Sequence, residues 1–258
     1  IKYHLFAKSL IFLSILIGMF EVPQALANYS ISPLIITLEP MGVNTKKWIT
    51  VQNKAKEGTG PIAVELKVVK REQDLNGRGV PLEDETNENF LFYPSQLLLY
   101  PGDTQMVYIQ WVGEPVLEKE EVYSFIANQV VVKLKKDELS PDQEAKGSLV
   151  TLINYRGVVF VTPPGVAPDV LMESVRHEKD EKGKDLMVVV LKNEGTGRQE
   201  LKGVKFNILP DEGELYEYAP KEVPTQKFSI HAGQKRELKL PWPKDLPVGS
   251  VTIQVVLP

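Results

Sequence analysis

From residue 29 onward, apolar positions recur at period two in short runs cut by turn residues, the pattern of half-buried β-strands. YSISPLIITL (29–38) alternates until Glu39-Pro40-Met41-Gly42 breaks it, and KWITVQN (47–53) follows. A Gly58-Thr59-Gly60-Pro61 turn leads to IAVELKVVK (62–70). The polar, acid-rich stretch from Arg71 to Asn89 is expected to be a loop with no core of its own. FLFYPS (90–95), TQMVYIQWV (104–112) and VYSFIANQVVVKL (122–134) supply three more strands. KKDELSPDQEAKG (135–147) is charged, proline-bearing and long for a hairpin loop. SLVTLINYRGVVFVTPP (148–164) is the seventh run. Seven short strands with frequent turns and no helical periodicity predict a β-sandwich of immunoglobulin type.

After Pro163-Pro164-Gly165 the pattern begins again. Val51-Gln52-Asn53 leads through Gly58-Thr59-Gly60 to a strand, as Leu191-Lys192-Asn193 leads through Gly195-Thr196-Gly197. Gly102 precedes Trp111 by the same interval as Gly233 precedes Trp242. Two matched landmarks in one order predict tandem domains of similar design. The expected fold is therefore all-β, with two tandem immunoglobulin-like sandwiches: residues 28–162, a Pro-Pro hinge, and residues 163–258. Proline restricts its own φ and its predecessor's range, so the hinge holds the two at a roughly fixed angle.

The seventh run is apolar on both faces. Leu149, Thr151, Ile153 and Tyr155 lie on one; Val150, Leu152 and Asn154 lie on the other, before Arg156 and GVVFV. Two readings stand side by side. Both faces are ordinary core, one in the sandwich and one against the second domain. Alternatively, the strand sits at an edge and completes the sheet of a partner that lacks one. Main-chain bonds then supply affinity and alternate side chains fill the partner's pockets. Each fully buried Leu or Ile contributes roughly 1.5–3 kcal/mol.

Composition narrows the chemistry. The 258 residues carry a formal net charge of −4 and no cysteine, which speaks against nucleic acid as the main partner and excludes a disulfide framework. Lys2 and Lys8, the apolar run LIFLSILIGMF (10–20) and Ala25-Leu26-Ala27 have the order of a secretory signal peptide, so residues 1–27 are expected to be removed on export. The apolar run falls well short of the roughly twenty residues that span a bilayer. Beyond that segment only His177 and His231 remain as histidines, and no nucleophile elbow, phosphate loop, dinucleotide fingerprint or zinc spacing occurs. His177 sits in a charged RHEKDEK run and is expected to be solvated. DEKGKD lacks the ligand spacing of a calcium loop and is expected to be a turn. No enzyme, cofactor or metal site is predicted.

Several residues together resemble the periplasmic chaperones of the chaperone–usher pathway for pilus and fimbria assembly. They are Asn53 closing the second strand, FLFYPSQLLLYPGDTQMVYIQW (90–111), VYSFIANQ, and the seventh run leading into Pro163-Pro164. The resemblance implies two immunoglobulin-like domains in an L shape, a periplasmic location, and pilin or fimbrial subunits and an outer-membrane usher as partners. It implies donor-strand complementation through Leu149, Thr151, Ile153 and Tyr155. Whether the free protein self-associates through the same edge is left open by the sequence. That family anchors the subunit's terminal carboxylate with two basic residues. Here the first strand has no Lys or Arg, and Arg156 is the nearest candidate on the last strand. Lys46, Lys47 and Lys133 are the other cations in view. Thr162 and Tyr108 stand where the family tends to place arginine. The competing class is a secreted two-domain adhesin or carbohydrate-binding module.

Overall fold

The run 29–38 is two strands in two different sheets, and this switch sets the architecture of the first half. The computed structural model describes residues 29–82, 87–132, 152–211, 213–219, 229–246, 248–249 and 251–257. β1 (Tyr29–Ser32) and β2 (Ile35–Leu38) part at Pro33, which has no N–H to give to either ladder. β1 pairs antiparallel with β3 (Lys46–Asn53), in a sheet that continues through β8 (Thr104–Trp111) to β6 (Phe90–Tyr93). β2 pairs in parallel with β10 (Asn154–Val161), and the second sheet runs on through β9 (Glu121–Val130) and β4 (Ile62–Gln73) to β5 (Gly79–Pro81). β7 (Gln96–Leu99) also pairs with β4.

The stretch after Lys70 is not the coreless loop expected from its polarity. β4 runs on to Gln73 and β5 folds back onto Arg71–Gln73 as a short hairpin. Gln73 is buried, because it reaches the second half of the chain: its amide donates to the Ser229 carbonyl at 3.0 Å. Among the described residues the helical structure is one 3-10 turn, Val43–Thr45.

Strict alternation packs the sheets face to face. Ile49, Val51 and Ile109 of one meet Val64, Phe125 and Val159 of the other in a single hydrophobic cluster. A second, separate cluster holds Met187, Val189, Leu191, Phe206, Ile208 and Leu238. It lies between the sheet of β11 (Val170–Lys179), β12 (Asp185–Asn193) and β17 (Lys235–Pro241) and that of β14 (Lys205–Pro210), β15 (Tyr216–Tyr218) and β18 (Val251–Val256). β13 (Gln199–Glu200) and β16 (Ser229–Ile230) form a two-stranded ladder beside them. The structure is an all-β, two-sandwich fold.

The internal repeat is structural, residue by residue. The Asn53 amide donates to the Leu99 carbonyl at 3.0 Å and its oxygen accepts the Ala55 N–H at 2.9 Å. The Asn193 amide donates to the Ile230 carbonyl at 3.0 Å and its oxygen accepts the Gly195 N–H at 3.0 Å. Each asparagine carbonyl also receives the N–H of a glycine at positive φ, Gly102 (87°) or Gly233 (75°). Trp111 and Trp242 each send the indole N–H to a nearby backbone carbonyl, that of Glu114 at 3.0 Å and of Leu246 at 2.9 Å. DEKGKD is a turn between β11 and β12, as expected; the Asp180 carboxylate accepts the N–H groups of Lys182 and Lys184, both at 2.8 Å.

Candidate functional site

β10 is an edge over half its length. Val158–Val161 are flanked on both sides, by β9 and by β2, which corrects the expectation of a simple edge strand. Among the described residues Asn154–Gly157 pair with β9 alone, because β1 has crossed to the other sheet and β2 begins only opposite Val158. The N–H of Val158 donates to the Leu34 carbonyl at 2.8 Å, and that of Thr162 to Leu38 at 2.8 Å. Backbone groups alternate sides along a strand, so Asn154 and Arg156 turn theirs to the same side, where none of the described residues forms a ladder with them. Gly157 marks the crossing: a Cβ there would lie 2.4 Å from the Leu34 carbonyl oxygen.

The same alternation sorts the predicted residues. Tyr155, Gly157, Val159 and Val161 face the first core; Asn154, Arg156, Val158 and Phe160 face outward from the sheet. Ile153 and Tyr155 are half-buried at the margin of that core. Leu149 and Thr151 lie outside the described residues.

A side-chain network that the sequence did not announce ties down the start of β10. The Tyr29 hydroxyl donates toward the carbonyls of Ile153 (2.9 Å) and Ala127 (3.1 Å). The Tyr155 hydroxyl donates back to the Tyr29 carbonyl at 2.7 Å, and the two rings meet edge to face at 4.8 Å. Gln129 Oε1 accepts the Ile153 N–H and Asn154 Oδ1 accepts the Gln129 N–H, both at 3.1 Å. Burial pushes the Tyr29 hydroxyl up to about 12, with the Tyr155 charge adding to it, so it stays a donor.

On the outer face of this sheet the register aligns Arg156 with Ile126 and Lys67, and Arg71 lies four residues further along β4. Burial first, and then the charge of Arg156, lower the affinity of Arg71 for its proton. The Arg71 Nε is buried without a hydrogen-bond partner among the described residues. Lys67, in the same cross-strand row, and Arg71, further along β4, are thus the cations that β4 places on the outer face with Arg156; Lys46 and Lys47 stand on β3 in the opposite sheet, and Lys133 is outside the described residues. Away from the arginines the face turns apolar. Leu98, Ala63 and Val130 share one cross-strand row beside a groove of about 340 Å³.

At the other end of β10 the two sandwiches meet. Glu120 is buried; Arg198 pairs with its Oε2, and the Thr162 hydroxyl donates to the same atom at 2.6 Å. The Arg198 guanidinium also lies 4.0 Å over the Phe160 ring, and His231 meets that ring edge to face at 5.6 Å. Burial, and then the nearby Arg71, Arg198 and Arg236 charges, lower His231 to about 4. His177 is partly exposed but not free in solvent as expected: its Nε2 lies 2.7 Å from Asp185 Oδ1 and its ring stands edge-on to Trp242. Tyr108 belongs to an exposed aromatic row with Trp48 and Tyr93 on the outer face of the β1-β3-β8-β6 sheet. Among the described residues no group of three or more His, Cys, Asp or Glu side chains is placed to hold a metal ion.

No protein-family profile matches the chain, and no curated protein matches it. Solved structures do. A chain from a structure described as a chaperone–tip adhesin complex vital for synergistic activation of CFA/I fimbriae biogenesis aligns with 90% of this chain and 100% of its own length. Its identity is 15% and its TM-score 0.51. The class 5 fimbriae chaperone CfaA aligns with 90% of this chain and 100% of its own at 14% identity, with a TM-score of 0.52. This chain therefore has the all-β, two-sandwich fold of the chaperone–usher fimbrial chaperones, and is a divergent example of it.

Proposed function

We propose that this chain is a non-enzymatic assembly chaperone of the periplasm that holds pilin-type or fimbrial subunits by donor-strand complementation and passes them to an outer-membrane usher. The observation that carries the reading is the open half of β10, where Asn154 and Arg156 turn to one side backbone groups that no ladder among the described residues takes up. An incoming sheet that lacks a strand finds its ladder there. Leu149 and Thr151, which precede Ile153 and Tyr155 in the same alternating phase, supply the apolar side chains to the partner, while Ile153 and Tyr155 pack at the margin of this chain's own core. Arg156 with Arg71 supplies the paired cations for a terminal carboxylate, which Arg binds in bidentate fashion. On this reading residues 1–27 are a cleaved signal peptide, 28–162 form the domain that lends the strand, and 163–258 form the second domain. The exposed aromatic row favours a carbohydrate-binding module instead. Its Trp48 and Tyr108 rings, however, stand 81° apart rather than in the common plane that would stack on a sugar.

Co-expression with small strand-deficient pilin-type subunits, followed by purification, tests the reading. The wild-type chain is expected to co-purify with a subunit, and failure with every such subunit would remove the proposal. Two substitutions localise the contact. Arg156→Pro removes an N–H that makes no bond to β9, so the protein's own sheet survives while the open edge is blocked. It should abolish capture. Arg156→Ala should weaken capture about tenfold or more through the lost charge-assisted bonds alone.

A further inference from the structure

We infer that Tyr29 and Tyr155 are positioning residues that hold the open half of β10 extended and in register before a partner arrives. The inference rests on the function proposed above and names the residues that prepare its binding strand. A half-strand with one neighbour among the described residues, whose ladder ends at Asn154, has little to keep it from fraying. Its backbone is ordered on one side only, and each ordered residue costs conformational entropy. The network lies where that loss would begin.

The Tyr29 side chain crosses from the β1-β3-β8-β6 sheet to the opposite sheet, and its hydroxyl bridges β9 and the residue that leads into β10. The Tyr155 hydroxyl makes the return crossing to the β1 backbone. Gln129 and Asn154 close the ladder's end with a second pair of side-chain to backbone bonds. All of these bonds fall on the core side or the β9 side of β10. None uses the side that Asn154 and Arg156 leave open. The tyrosines also fasten β1 to β10 through side chains rather than through a ladder, so β1 stays in its own sheet and does not close the gap. A strand ordered in advance loses less freedom on pairing, and this is how rigid positioning raises affinity without a new contact.

The test uses the full chain with Tyr29→Phe, Tyr155→Phe and the double substitution, each of which keeps the ring and removes the hydroxyl. Amide exchange is followed at Ile153, Tyr155 and Gly157, whose N–H groups turn toward β9, with β12 of the second sandwich as internal reference. Each single variant should exchange about fivefold faster at these three amides, the scale of one lost hydrogen bond, with β12 unchanged. A synthetic peptide of alternating valine and threonine with a free carboxylate serves as the incoming strand. It should slow exchange at Asn154 and Arg156 in the wild type and bind the double variant at least tenfold more weakly. Unchanged exchange at Ile153, Tyr155 and Gly157 overturns the inference. So does acceleration spread equally over both sandwiches, which marks ordinary core tyrosines. Local acceleration with undiminished peptide binding overturns it as well. If the peptide fails to protect the wild type, the proposed function itself falls, and the positioning role falls with it; only that failure appears in the unsubstituted protein.

Discussion

Gly157 has no room for a side chain, although its residue type would pass for a routine weak spot in a strand. A Cβ would sit 2.4 Å from the Leu34 carbonyl oxygen and 3.1 Å from a Phe125 ring carbon, and the first of these is backbone that cannot swing aside. Gly157 is also the last residue before β2 joins the sheet. Gly157→Ala should therefore push β2 away from β10 and cost about 1–3 kcal/mol, the range for overpacking a filled interior. A urea titration that leaves the midpoint where it was would show that the crossing has more slack than its geometry allows. The Arg156 and Arg71 guanidiniums illustrate the same scale in charge. Neither stands out alone in a chain with 30 basic residues, and that they share one face of the sheet is visible only once β4 and β10 are both in place.

At the scale of elements, the asparagines that close β3 and β12 are equivalent latches of unequal strength. Asn53 makes two side-chain bonds, to the Leu99 carbonyl and from the Ala55 N–H. Asn193 makes four: its amide reaches the Gly197 and Ile230 carbonyls, and its oxygen accepts the N–H groups of Asp169 and Gly195. Both are fully buried, so truncation leaves backbone groups without partners away from water. Asn193→Ala should cost the second sandwich about 3 kcal/mol and Asn53→Ala the first about 2 kcal/mol. Amide exchange resolved by strand distinguishes the two, because each loss should stay within its own sandwich. Equal losses would mean that the extra bonds of Asn193 add nothing. β10 makes the complementary point, since one strand serves as interior ladder over its second half and open edge over its first.

For the molecule as a whole, the seam between the sandwiches is built from buried polar groups rather than apolar ones alone. The Thr162 hydroxyl donates to Glu120, which also pairs with Arg198 from the far side of the seam. His231 is buried in the same place among Arg71, Arg198 and Arg236 and is held to about 4, against an ordinary 6.5. Above pH 6.5 the ring is neutral in both folded and unfolded chains. As the pH falls from 6.5 toward 4, only the unfolded chain takes up the proton, so stability drops, by about 3 kcal/mol in all. Below pH 4 the native ring protonates too and this contribution changes no further. A His231→Phe variant cannot take up that proton, and its unfolding free energy should vary less between pH 6.5 and 4. The same slope in both proteins would assign the acid sensitivity to other groups.

How much of this was legible in the residues follows from how local each feature is. Alternation placed the long strands, because burying one face of a pleated strand needs only a period of two, whereas the short β5, β7 and β15 offered too few residues for a period to show and β1 and β2 read as one run. The Asn-Gly-Trp landmarks exposed the internal repeat, because a latch, a positive-φ turn and a bonded indole each demand particular residue types. The hairpin after Arg71 was missed because its polar residues are ordered by the second sandwich, far away in sequence. The Tyr29–Tyr155 network and the Arg71–Arg156 pair were invisible for the same reason. The sequence by itself settled that this chain folds into strands with two-sided alternation and a duplicated plan. Only the tertiary structure decided which half of β10 stays open, since that depends on β1 leaving for the opposite sheet, a choice of partner rather than a local preference of the chain.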